Sequence, residues 1–380
     1  MSWEAVMQKK GVFIASTGQN VGKTTTCLGL ISGLKKRFSS VGFMKPVGQE
    51  HIETSCGIHV DKDVVLFKEH FSLNSDYKDM SPILFPQGFT RHYLDGAYDE
   101  KDLSQQILRS FSKIHEEHAF TLVEGTGHIS VGSIVNMNNA QVASLLSLPV
   151  ILIASGGLGS AFDELALNKA MCEKHGAKVI GVILNRVLPD KREMVIEYMN
   201  KALARWKIPL LGSIPYTPFL SSPSMQDFET LFQCTMLTGE CHRMRHFKHT
   251  RLVATSVESY SQHIMPNQLL ITPSTREDII LATLSRHWDM KISSPDSDLE
   301  SGMILTGHAM PKPHLLEQIK KANIPMLYVP VTSDTALKMI TVHTAKIQKE
   351  DLQKIQEAIG VVESHINFEQ LEDLLSARTS

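Results

Sequence analysis

The chain is poor in the features that mark secreted, membrane-embedded or nucleic-acid-binding proteins. Its five cysteines, at positions 27, 56, 172, 234 and 241, are odd in number and never spaced C-x-x-C. This argues against a disulfide framework and a cysteine-ligated zinc site, and makes a reducing cytoplasm the expectation. No apolar run approaches the roughly 18 residues that span a bilayer. The first ten residues, Met-Ser-Trp-Glu-Ala-Val-Met-Gln-Lys-Lys, contain no apolar stretch of the secretory-signal kind. Charge of one sign is also missing. With 38 Lys and Arg against 40 Asp and Glu, the formal net charge of −2 gives no reason to expect nucleic acid or an anionic membrane as partner. No cysteine or serine stands after a strand-like run with an obvious His partner, so nucleophilic catalysis finds no support. Internal repeats and low-complexity tracts are absent.

What is present is alternation. Apolar runs rich in β-branched residues recur at 11–15, 41–44, 120–123, 149–153, 179–184 and 209–214. Between them, 24–36 and 101–118 carry apolar residues at three- and four-residue spacing, the period of an amphipathic helix. Continuous apolar strands alternating with helices predict a parallel sheet covered on both faces, with ligands beyond the carboxyl ends of the strands. The pattern breaks into turn-rich sequence near Pro215–Ser224 and a stretch, 239–251, crowded with His, Arg and Lys. That basic stretch reads as a solvated connector. A second alternation follows: strand-like 269–273, 303–307 and 326–330, helix-like 276–287, 314–322 and 332–342. At 380 residues the chain is long enough for two or three domains. The boundaries expected are 1–220, 221–350 and a helical tail at 351–380.

Each chemically suggestive residue follows one of the first unit's strands. After Gly11–Ala15 comes Ser16-Thr17-Gly18-Gln19-Asn20-Val21-Gly22-Lys23-Thr24-Thr25-Thr26. Strand, glycine-containing turn and helix in that order make a phosphate-binding loop. Gly22 lets the backbone approach phosphates, Lys23 can reach the β- and γ-phosphates, and the Thr24 hydroxyl can ligate Mg²⁺. The usual G-x-x-x-x-G-K-[ST] pattern would need glycine at position 17, where this chain has Thr17. Lys45, at the end of the second strand, can pair with phosphate or a substrate carboxylate. Glu124, in Val123-Glu124-Gly125-Thr126-Gly127, stands where a Mg²⁺ ligand belongs. Asn185 ends a later strand with an amide suited to a purine edge. Thr90-Arg91-His92 reads equally as an anion-binding element or a solvated loop, and Arg276 as an anion holder or a packing residue.

Together these residues resemble the dethiobiotin synthetase group of P-loop proteins, which includes the amino-terminal part of long phosphate acetyltransferases and the ATP-binding domains of cobyrinic acid synthases. In that group the first glycine lies six residues before the second, which puts its equivalent at Ser16. The resemblance implies an α/β P-loop NTPase-type fold that binds ATP and Mg²⁺. It assigns Gly18, Gln19, Asn20, Val21, Gly22, Lys23, Thr24 and Thr25 to the nucleotide. Lys23 and Lys45 become the catalytic lysines, Asn185 the adenine reader, and Thr24 and Glu124 metal ligands. A further acidic ligand falls at Asp63, with Asp61 the alternative. The stretches Leu270–Ile280, Ile304–Gly307 and Ile324–Pro330 resemble a DRTGG domain, a smaller α/β unit that follows such P-loop domains in phosphate acetyltransferases. The implied activity is ATP hydrolysis or ligase-like activation of a small carboxylate or carbamate, by a homodimer; the alternative is a regulatory module that senses nucleotide or an anionic metabolite. Thr17-Gly18-Gln19 and Val47-Gly48-Gln49-Glu50 depart from the dethiobiotin synthetase pattern on the substrate side, which argues against biotin synthesis.

Overall fold

The computed structural model describes residues 10–54 and 56–376. They form two units, the first running to Thr217 and resuming at Ile347, the second spanning Pro218–Lys346. In the first unit six strands, β1 (Lys10–Ser16), β2 (Val41–Met44), β3 (Phe120–Glu124), β4 (Val150–Ser155), β5 (Val179–Val187) and β6 (Leu210–Pro215), make one sheet. Its order is β2-β3-β1-β4-β5-β6, and every pairing is parallel. The interior strands are buried almost end to end, which is why they read as unbroken apolar runs instead of alternating ones. The larger helices are α1 (Lys23–Lys35), α2 (Lys62–Phe71), α3 (Glu100–Glu117), α4 (Gly159–Lys174) and α5 (Arg192–Ala204). In α3 the buried residues Leu103, Ile107, Ser110, Phe111 and Ile114 form one helical face, and the Asp99 carboxylate caps its start by accepting from the Lys101 N–H at 2.6 Å.

The second unit contains α6 (Met225–Phe232), β7 (Met236–Thr238), β8 (His249–Leu252), β9 (Gln268–Pro273), α7 (Glu277–Ser293), β10 (Gly302–Thr306), α8 (Pro313–Ala322), β11 (Met326–Val329) and α9 (Ser333–Val342). Its sheet order is β7-β11-β10-β9-β8, parallel except for β7, an antiparallel edge. Alternate residues feed two cores. Leu270, Met303 and Leu305 pack with Ile280, Leu284, Leu315 and Ile319 of α7 and α8. Leu269, Ile271 and Ile304 pack with Phe228, Ala336 and Ile340 of α6 and α9. Both faces of this sheet are therefore covered.

The basic stretch differs from the solvated connector expected. It contributes strand β8, and His246 and Phe247 are each 8% exposed. Arg245 bonds to Asp298 at 2.5 Å and to the Ser301 carbonyl at 3.1 Å, while Arg243 pairs with Glu229. These cations are held within the second unit, by α6 and by the loop before β10.

The last two helices, α10 (Leu352–Glu363) and α11 (Phe368–Ser376), return to the first unit and seat on α1. Gly29 and Gly33 make this possible. A Cβ on Gly29 would lie 2.3 Å from Val362, and one on Gly33 2.1 Å from the Phe368 ring. Each glycine weakens an isolated helix by about 1 kcal/mol relative to alanine, so their presence one turn apart reflects the close approach. The Asn367 N–H donates to the Leu211 carbonyl at 2.8 Å, and Lys36 bonds to Glu363 at 2.5 Å. No helix among the described residues is long and apolar enough to cross a membrane.

Candidate functional site

The phosphate-binding loop runs from the end of β1 into α1. Asn20 and Gly22 have positive φ, 56° and 95°, and the Gly22 carbonyl accepts from the Thr26 hydroxyl at 2.9 Å within the first turn of α1. A Cβ on Gly22 would lie 2.2 Å from Asn185 Nδ2, so glycine is required both by backbone conformation and by space. Gln19 and Asn20 are exposed at the tip. Lys23 Nζ donates to Ser16 Oγ at 3.0 Å and also to the Gly127 carbonyl, so its ammonium lies across the loop mouth. Burial lowers the Lys23 pKa, with nearby Glu124 acting in the opposite direction.

Thr17, at the position where a generic loop has glycine, is tied to α4. Its hydroxyl donates to Glu164 Oε2 at 2.8 Å, and Asn168 Nδ2 reaches its carbonyl at 3.4 Å. Glu164 and Asn168 lie one turn apart on α4. Only the parallel sheet brings that helix beside the loop, so nothing local in the sequence marks them.

Beyond β1, β2 and β3 lies a buried ionic cluster. Lys45 Nζ contacts Asp61 Oδ1 at 2.9 Å and also Asp63 Oδ2. The two carboxylates have different tasks. Asp61 is the N-cap of α2, accepting from the Asp63 N–H at 3.0 Å, and its other oxygen accepts from the Gln49 N–H at 3.2 Å. Asp63 Oδ2 faces Thr24 Oγ1 at 3.3 Å, and the same hydroxyl lies 2.9 Å from Glu124 Oε1. Burial would lower the Lys45 pKa, but Asp63 and Asp61 overcome it and hold the pKa above its ordinary value. For Asp63 the balance is similar: burial would raise it, and Lys45 pulls it down. Asp61 is raised, mainly by burial. Glu124 is pushed up to about 7 by burial.

The Glu124 oxygen Oε2 is buried and has no hydrogen-bond partner. An orphaned carboxylate oxygen beside Thr24 and Asp63 is a donor set that a hard divalent cation would satisfy. Two carboxylates and one hydroxyl match Mg²⁺, which keeps waters and phosphate oxygens for the rest of its octahedron. Among the described residues no group of three or more His, Cys, Asp and Glu side chains is arranged to hold a metal unaided. The arrangement thus suits a metal that arrives with phosphate.

Asn185, two residues before the end of β5, donates from Nδ2 to the Val21 carbonyl at 2.8 Å and accepts the Arg186 N–H on Oδ1 at 2.9 Å. These two bonds use one N–H and one lone pair of the amide. Arg186 itself is exposed, with a positive φ of 59°. The loop after β3 is braced by Asn139, which accepts from the Thr126 N–H at 3.0 Å and donates to the Thr126 and His128 carbonyls at 2.8 and 2.7 Å. Thr90, Arg91 and His92 lie exposed on the short helix Phe89–Leu94, apart from this cluster's hydrogen-bond network. In the second unit the Arg276 guanidinium grips Asp278 through two bonds of 2.8 Å and reaches the Thr255 carbonyl at 3.1 Å.

Residues 10–224 match the family model for an AAA domain, and residues 230–342 match that for a DRTGG domain. The phosphate acetyltransferase of Synechocystis is 25% identical over 373 residues, which cover 95% of this chain and 51% of that protein. The phosphate acetyltransferase of Nitrosomonas europaea is 27% identical over 374 residues, covering 94% and 51%. The ATP-dependent dethiobiotin synthetase BioD of Bacillus subtilis is 29% identical over 209 residues, covering 54% of this chain and 87% of that one. Among solved structures, the MinD cell division protein of Aquifex aeolicus aligns at 15% identity and a TM-score of 0.34, covering 56% of this chain and 84% of that one. The chain spans about half the length of the phosphate acetyltransferases it matches. With more than half its residues under the AAA domain model, the chain belongs to that P-loop family, and it carries a DRTGG domain in addition.

Proposed function

We propose that this member of the AAA domain family binds ATP with Mg²⁺ at its first unit and directs phosphoryl transfer, to water or to a small carboxylate or carbamate. The observation that carries this reading is the convergence of Lys23, Thr24, Asp63 and Glu124 at the mouth of the loop. The backbone from Gly18 to Gly22, with the N–H groups of Lys23, Thr24 and Thr25, would cradle the phosphates. Lys23 would exchange the Gly127 carbonyl for a phosphate oxygen. Thr24, Asp63 and Glu124 would hold the metal, which when bound neutralises charge on the β- and γ-phosphates. Asn185 would read the adenine through its amide, already held in place by Val21 and Arg186. Lys45 would neutralise charge on the transferring group or on an acceptor carboxylate, and the protein's contribution is positioning and electrostatics. A cytoplasmic homodimer belongs to the same reading.

A second reading has one observation in its favour. Lys45 is held by two carboxylates instead of standing free toward an acceptor, which suits a module that binds nucleotide and signals occupancy without turnover. Calorimetric titration with ATP and Mg²⁺, followed by phosphate-release assays with and without small carboxylates, separates the two. Tight binding with steady release supports the enzyme, and tight binding without release supports the sensor. Lys23→Ala should weaken nucleotide binding by at least about tenfold and abolish any release, because alanine cannot make the charge-assisted hydrogen bonds that an ammonium gives to phosphate. Unchanged binding and turnover in that variant would sink the assignment.

A further inference from the structure

The carboxylates offered to the metal already have a cation. Lys45 Nζ touches Asp63 and Asp61, and the Lys45 side chain is 8% exposed, those of Asp61 and Asp63 1% and 13%. Asp63 in turn faces Thr24, and Thr24 faces Glu124. Lys23 lies close enough to act on Glu124 and Asp63 through space, but its ammonium makes its hydrogen bonds to Ser16 and Gly127. A divalent ion reaching Asp63 would meet the Lys45 ammonium at contact distance in a water-poor setting, where like charges repel strongly. We propose that Lys45 is a built-in placeholder for the metal: without nucleotide it keeps a free divalent cation off Asp63, and it yields that carboxylate when the cation arrives bound to a nucleotide. The inference rests on the reading of Thr24, Asp63 and Glu124 as the metal's ligands.

Asp61 makes the exchange possible. It is immobilised as the cap of α2 and by the Gln49 N–H, whereas the Thr24 hydroxyl bonds Asp63 and Glu124. When Asp63 turns to the metal, Lys45 keeps Asp61 as its partner and stays charged, now next to an anionic triphosphate. Two aspartates two residues apart thus divide the work: Asp63 passes from lysine to metal, and Asp61 retains the lysine. Metal entry is coupled to nucleotide entry, because only the nucleotide brings enough negative charge to compensate a third cation beside Lys23 and Lys45.

The test titrates Mn²⁺ alone into the full chain and follows the free-ion electron paramagnetic resonance signal. The wild type should bind Mn²⁺ weakly, and a non-hydrolysable ATP analogue should tighten it. Lys45→Met should bind nucleotide-free Mn²⁺ at least about tenfold more tightly than wild type, since the repelling charge is gone. Lys45→Arg, which keeps the cation, should remain excluding. If Lys45→Met melts early by circular dichroism, Lys45→Gln replaces it, keeping a polar group of similar length. Equal Mn²⁺ affinity in wild type and the neutral variants overturns the proposal. Asp61→Asn should weaken Mn²⁺-dependent binding of the analogue more than its metal-free binding; an unaltered Mn²⁺ dependence overturns the role given to Asp61. The two readings fail separately. If the wild type never binds the analogue, nucleotide binding falls, and a Mn²⁺ gain in Lys45→Met still supports the placeholder. If the analogue binds and that gain is absent, the placeholder alone falls.

Discussion

Where β1, β2 and β3 of the first unit end, three carboxylates and two ammonium groups share a buried cluster. Where β9, β10 and β11 of the second unit end, the more buried polar groups are neutral hydroxyls, and the charged pairs Arg276–Asp278 and Lys312–Glu277 lie at the exposed rim. Ser274 donates to the Ala309 carbonyl at 2.5 Å, Thr306 and Ser333 share a bond of 2.6 Å, and Tyr328 donates to the Gly307 carbonyl at 2.7 Å. Arg276, which reads equally as an anion holder or a packing residue, spends its guanidinium on Asp278 and a carbonyl. The two sheets share a parallel design, yet only one stores electrostatic cost at its strand ends. Buried charges are destabilising unless something repays them, so their concentration at one edge points to a ligand there. The units also differ in continuity. The second is a single stretch of chain, whereas the first is completed by helices that follow the second.

The largest expected effect breaks that second contrast. Phe368 is 5% exposed, fills the space where Gly33 lacks a side chain, and lies 4.5 Å under the Arg37 guanidinium. Phe368→Ala should cost the first unit about 4 kcal/mol, because the glycine-lined seat on α1 cannot collapse around the missing ring. Hydrogen exchange should show faster opening of α1 and β1, with amides of β9 and β10 unchanged. Equal loss of protection in both units would mean that the returning helices do not belong to the first unit alone.

Much of this was legible in the sequence, for identifiable reasons. Strands β1, β4 and β9 announce themselves because burial on both faces leaves unbroken β-branched runs. Lys45, Glu124 and Asn185 are visible because each directly follows such a run, and Lys23 and Thr24 because a glycine-containing turn joins the first run to a helix. What sequence could not show is contact at a distance. Gly29 and Gly33 look like weaknesses in α1 until Val362 and Phe368 arrive from the far end of the chain. An amphipathic pattern at 352–376 says that a partner exists, and not which one. Arg245 looks solvated because Asp298, its partner, is 53 residues away. The different surroundings of Asp61 and Asp63 are hidden in the sequence as well, since both precede the same apolar run; only the fold shows one capping α2 and the other facing Thr24.

A smaller effect sharpens the electrostatic contrast. Glu124 has an ordinary pKa of 4.5 that burial pushes up to about 7. Between those values the folded chain holds more protons than the unfolded chain, so stability falls as pH rises, and the loss is complete above pH 7. Its size is about 3 kcal/mol for a shift of that extent. Glu124→Gln should therefore raise the melting temperature of the metal-free chain at pH 8 and change it little at pH 4, while weakening Mg²⁺-dependent nucleotide binding. A variant that melts lower than wild type at pH 8 would show that the carboxylate is not under strain.

The smallest effect is expected in the second unit, and it asks whether the neutrality of that edge is real. The Arg276 side chain is 30% exposed and its partner Asp278 43% exposed, and both lie at the start of α7. A surface pair of this kind contributes at most about 1 kcal/mol, even with two good bonds, because water screens it. Removing the arginine also relieves a positive charge at a helix N-terminus, which is unfavourable with the helix dipole and offsets part of the loss. Arg276→Ala should thus shift the denaturation midpoint of the second unit by less than about 0.5 kcal/mol. It should leave nucleotide affinity of the first unit unchanged in the same preparation. A loss of several kcal/mol would mean that the guanidinium supports structure beyond Asp278 and Thr255. Unchanged stability with altered response to an added anionic metabolite would instead show that the second edge binds a ligand without storing charge for it, and the contrast between the units would have to be redrawn as one between two kinds of site.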